Sequence, residues 1–202
     1  MNNQASVLNP TFEGTTTLDT GLSGVLKATA GVVSEATADT DFASVSWVNE
    51  FVTYLSDGLL VSSDLAISGT AEKFKTTSIA AYTIGSLNYT KAATDNLTFT
   101  AADTINTGAA TGDFWGIWLV QINAAGTVST KSPSSDQVYA SSALALAALP
   151  EADADNTSLG YILIEANTDS SWTANTDDMT PASDCQASSF VDASVKTVPS
   201  AK

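Results

Sequence analysis

A mainly β fold is predicted by three features of this sequence. Alanine, serine and threonine dominate and charged residues make up only 14%, which leaves the chain too apolar and too uncharged for wholesale disorder. Turn-like phrases recur at short intervals: Thr40-Asp41, Thr94-Asp95-Asn96, Asn106-Thr107-Gly108, Thr111-Gly112-Asp113 and Asn167-Thr168-Asp169. Between them lie small β-compatible residues, and short strands with many turns are what a sandwich or barrel needs. At 202 residues and 20.7 kDa there is room for one compact unit and an appendage. The expected architecture is an N-terminal extended or helical segment, then an antiparallel β-sandwich or barrel-like domain with one short helix.

Residues 1–70 read as the attachment or oligomerisation segment. Its run Gly21-Leu22-Ser23-Gly24-Val25-Leu26-Lys27-Ala28-Thr29-Ala30-Gly31-Val32-Val33-Ser34 separates aliphatic residues by small ones and holds no aromatic. Too little bulk is present for a core of its own, so Leu22, Val25, Leu26, Val32 and Val33 need a partner surface. Sister chains supply the simplest one, and a flexible linker is the alternative. Asp41 is placed to cap a helix near 42–56, with Phe42, Val45, Val48, Val52 and Leu55 at spacings of three and four, ending at Asp57-Gly58. Trp47 and Phe51 broaden that apolar stripe, which suits packing on the body or at a three-fold axis. Leu59-Leu60-Val61 and Leu65 to Gly69 read as short strands or connectors.

Residues 71–180 carry the β pattern. Ile79 to Ile84, Gly85-Ser86 and Leu87 to Lys91 read as a hairpin, with Gly first in the loop suiting a type II′ turn. Leu97-Thr98-Phe99-Thr100 alternates and adds a strand. Phe114 to Ile122 is the densest apolar run and the candidate central strand, paired with Thr127 to Lys131 across Ala124-Ala125-Gly126. Ser141 to Leu149, stopped by Pro150, reads as a short helix with Leu144, Leu146 and Leu149 available for packing. Leu159 to Glu165 is a further buried strand, and Trp172-Thr173 opens or ends a last one. Apolar residues thin out after Pro181, so 181–202 reads as a tail or arm.

Seven lysines, no arginine and no histidine stand against twenty-two acidic residues, a net charge of -15. Without histidine there is no Ser-His or Cys-His nucleophile and no His-ligated zinc. Without arginine no bidentate clamp for phosphate exists, and scattered lysines make no positive patch, so nucleic acid is not an expected partner. No stretch approaches the ~18 apolar residues of a membrane span, and the N-terminus lacks the basic and apolar regions of a cleaved export signal. Sequons at Asn88, Asn96 and Asn156 are read as chance in a Thr-rich chain.

Few residues suggest chemistry. The acidic phrase Glu151-Ala152-Asp153-Ala154-Asp155-Asn156 has the start of a calcium loop, but the sixth-position Gly is missing and Ile164 stands twelfth from Asp153. It reads as a solvated loop between helix and strand. Cys185 has no intrachain partner and reads as a bystander. Trp115, Trp118 and Trp172 read as core residues, with sugar stacking by an exposed one as the alternative. No catalytic, cofactor or metal residue is assigned.

Two stretches carry a resemblance. Gly21 through Phe42 is similar to a connector recurring in phage fibre and tail proteins. Tyr82, Leu87 to Asp95 and Trp118 to Thr130, with Leu149-Pro150 and Leu159 to Ile162, resemble a β domain of uncharacterised tailed-phage structural proteins. The resemblance implies a location on the virion, on the surface of head, neck or tail, and trimeric assembly, and it supplies no catalytic residue. The expected function is a non-enzymatic decoration, cement or fibre-like protein whose partners are two sister chains and a capsid or tail protein. The competing expectation is a receptor-binding fibre or spike that recognises host surface glycan.

Overall fold

A computed structural model of the chain describes residues 26–29, 32–35, 56–106, 113–168, 170–181 and 184–196. The chain falls into two units, Met1–Asn49 with Ala201–Lys202, and Glu50–Ser200. In the first, β1 (Leu26–Thr29) and β2 (Val32–Glu35) form an antiparallel hairpin with Leu26 opposite Glu35 and Thr29 opposite Val32.

The second unit is built of β3 (Gly58–Val61), β4 (Leu65–Ile67), β5 (Phe74–Thr76), β6 (Ala80–Ile84), β7 (Leu87–Lys91), β8 (Thr94–Leu97) and β9 (Thr104–Ile105). There follow β10 (Phe114–Asn123), β11 (Val128–Lys131), β12 (Asp136–Gln137), helix α1 (Ser142–Ala147), β13 (Asn156–Ala166), β14 (Trp172–Thr173) and β15 (Cys185–Asp192). The fold is mainly β, and among the described residues every strand pair is antiparallel except β9 with β12. The largest sheet has the order β11-β10-β13-β15, and three smaller sheets run β12-β9-β14, β3-β6-β7 and β4-β5-β8.

The apolar run at 114–122 does form the central ladder: Ile117 faces Leu163, and Trp118 faces Ile162. Because successive side chains alternate, each strand serves two faces. Trp118, Val120 and Ile122 join Ile162 and Ile164 in the main core, where Leu59, Phe74, Tyr82, Ile105 and Trp172 come from the smaller sheets. Ile117 and Leu163 point the other way and are covered by Ala145 of α1, with Trp115, Tyr139, Leu149 and Tyr161 around them. Rings knit the main core: Phe99 meets Phe74, Trp118 and Trp172 edge-on at 5.5, 5.4 and 5.8 Å, and Trp118 meets Trp172 at 5.2 Å. Each such pair adds roughly 0.5–1.5 kcal/mol beyond its buried area.

Several local expectations are corrected. The 85–86 turn has positive φ at both residues, +57° and +65°, which is the type I′ pattern; type II′ has it only at the first. The third strand lies at Thr94–Leu97, three residues before the alternating stretch. Phe99 and Thr100 instead find side-chain partners: Phe99 N–H donates to Asn175 Oδ1 at 2.8 Å, and Thr100 N–H to Thr130 Oγ1 at 2.9 Å. In α1 the inward residue is Ala145, while Leu144 and Leu146 are exposed. Ala145 and Leu149 are four apart and share the sheet-facing side. The body also takes in more chain than 71–180, since β3 and β4 precede that range and β15 follows it. Residues 185–192, read as part of a tail, pair with Gly160–Ala166 of β13.

Candidate functional site

Ten residues are expected from the sequence at an interface. Leu26 lies on β1 and Val32 and Val33 on β2. Leu22, Val25, Phe42, Val45, Val48, Val52 and Leu55 lie outside the described residues, as do Trp47 and the expected helix, apart from Ser56, which sits in a bend.

A cluster of long-range hydrogen bonds in the body has no counterpart among the sequence expectations. It forms the neck, where the incoming chain at 56–58 meets the outgoing chain at 193–196. Gly58 opens β3 with φ +153°, a conformation that L side chains rarely adopt. Asp57 Oδ1 accepts from Gly85 N–H at 2.6 Å, which ties the incoming chain to the 85–86 turn. Thr83 Oγ1 donates to Ser56 O at 2.6 Å and accepts from Lys196 Nζ at 3.0 Å. Thr157 Oγ1, in turn, donates to Thr83 O at 2.9 Å. Partial burial pulls the Lys196 ammonium below its ordinary range, against the opposing pull of Asp57.

An open cleft of about 270 Å³ adjoins the neck, lined in part by Asp57, Leu59, Asn156, Thr157 and Ser194. Among the described residues its lining has no aromatic, and the Asp57 carboxylate on its rim is already engaged by a backbone donor. A single spaced lysine gave no sign of this arrangement in the sequence, because its partners lie as far as 140 positions away.

The other candidate groups serve the fold. In the 151–156 loop Asp153 accepts from Lys131 Nζ and from Gln121 Nε2, both at 2.6 Å, while its own N–H donates to Gln121 Oε1 at 2.8 Å. Lys131 first and Gln121 second hold this carboxyl below the usual range. Among the described residues no group of three or more His, Cys, Asp or Glu is arranged to hold a metal. Cys185 is buried, with burial the main cause of a thiol pushed up to about 11, so at neutral pH it stays protonated and unreactive. Trp118 and Trp172 are wholly buried, and Trp115 packs beside α1. Among the described residues no aromatic side chain is fully exposed.

Searches against protein-family models, curated proteins and solved structures produced no match to this chain.

Proposed function

We propose that this chain is a structural component of a tailed-phage particle: a homotrimeric decoration, cement or fibre-like protein, anchored by its N-terminal segment and displaying the β body at the virion surface. The observation that carries this reading is the neck. Within the body, Ser56 and Lys196, 140 positions apart in sequence, are joined by a hydrogen bond, an arrangement that suits a module displayed from one place. We read the body as a sandwich, its four-stranded sheet facing the β3-β6-β7 and β4-β5-β8 sheets across the main core.

The small residues of 21–34 allow sister chains to approach closely, and repeated interfaces can bury enough area to resist dilution. The partners are then two further copies and a capsid or tail protein. The net charge of -15 keeps displayed bodies and whole particles apart. We read the protein as non-catalytic: Asp57 and Thr157 at the cleft and Asp153 in the acidic loop are engaged in holding the fold. Glycan recognition by a spike tip is the weaker reading: sugar stacking calls for an exposed ring, and the described aromatics are all turned at least partly inward.

Immunogold labelling of particles from the parent phage tests the proposal. Label along the head, neck or tail surface, with particles lacking the chain losing infectivity faster on heating, is the expected result. Label absent from particles, with the chain free in the lysate, contradicts it.

A further inference from the structure

The C-terminal side of β15 does more than finish the large sheet. Ala193 N–H still donates to Leu159 O at 2.9 Å, in continuation of the β13 ladder, but three residues later Lys196 N–H donates to Leu59 O at 2.8 Å. Residues 193–196 have by then crossed to β3, which among the described residues is an edge strand of its sheet, paired with β6. Between the two attachment points Ser194 and Val195 are exposed, Val195 by 48%.

The Lys196 side chain then folds back over Gly58. Its ammonium donates to Thr83 Oγ1 at 3.0 Å and to Ser56 O. A Cβ at position 58 would overlap the lysine stem, so glycine there leaves the groove in which the stem lies. Thr83 belongs to β6 and Ser56 to the incoming chain, so one side chain joins three separate stretches of backbone.

We propose that residues 193–196 are a releasable strap, latched by Lys196, which closes the edge of β3 and pins the outgoing chain to the incoming chain. A segment held by a few hydrogen bonds at its ends and exposed between them opens more readily than the core. The charged donor makes the latch its strongest point. Opening would free the Leu59 carbonyl on the edge of β3. The inference goes beyond the proposed function and holds whichever particle or partner the body serves.

Amide hydrogen exchange on the full chain tests it, with Lys196→Met, which keeps the stem and removes the donors. Loss of hydrogen bonds from a charged group should speed exchange of the residue-196 amide by about tenfold, while the amides of Trp118 and Ile162 keep their wild-type rates. Gly58→Ala, which evicts the stem from the other side, should give the same local signature. An unchanged rate at residue 196 in Lys196→Met overturns the latch. So does an equal acceleration of the two core amides, because the strap would then open only with the whole body.

Discussion

The two faces of the four-stranded sheet solve the same problem differently. Toward the main core, Trp118, Val120, Ile162 and Ile164 meet large side chains from three other sheets. Toward the outside, Ile117 and Leu163 are covered chiefly by Ala145 of a six-residue helix and by half-buried rings. One face is sealed by volume and interlocking aromatics; the other by a small lid whose own leucines point to solvent. Stability therefore resides mostly on the inner face, while the outer face is where local change is tolerated.

Substitutions should grade accordingly. Trp118→Ala removes the ring shared by Phe99 and Trp172 and should cost about 3–5 kcal/mol in denaturant unfolding. Gly116→Ala places a methyl 2.6 Å from Ile105 Cγ1 and 2.8 Å from the Trp118 ring, an overpacking that should cost roughly 1–3 kcal/mol. On the outer face, Ser141→Ala deletes the cap that accepts from Leu144 N–H at 3.3 Å and should cost about 1 kcal/mol. Leu144→Ser should stay within roughly 0.5 kcal/mol, as exposed surface changes do. A cost for Leu144→Ser matching that for Trp118→Ala would show that the outer face is covered by something further, and the contrast between the faces would fail.

Cys185 gives the inner face a pH signature. Its thiol is raised from 9.0 to about 11 in the folded chain, so above pH 9 the unfolded state loses its proton first. That contribution is complete below pH 9.0 and is lost as pH rises through about 11. Unfolding followed from pH 8 upward should show a decline that Cys185→Ala reduces, with buried Tyr82, whose phenol is also raised, contributing at higher pH, and a thiol reagent should label native protein at neutral pH only as fast as the body opens.

Legibility in the sequence followed the density of local signal. The 80–84 and 87–91 hairpin, the 114–122 ladder, the 156–166 strand and the short helix were readable because long apolar runs or a two-residue Gly-Ser turn marked them. The turn type was not, since Ser86 gives no hint that it adopts φ +65°. β15 escaped because Cys185, Phe190 and Val191 are its only bulky apolar residues; its strand state comes from pairing with β13, a tertiary contact. Residues 58–67 were assigned to the N-terminal segment for the same reason, their sheets being completed by strands further along the chain. The neck depends on Lys196 meeting Ser56 and Thr83 across more than a hundred residues, and spacing along a sequence carries no record of that.

The proposed division between an assembling N-terminal segment and a displayed body is tested most directly by solution mass. Light scattering of the full chain should return three times its 20.7 kDa, and a chain beginning at Glu50, the first residue of the body unit, should return a single body. A monomeric full-length chain would contradict the account, and so would a trimer that survives removal of residues 1–49.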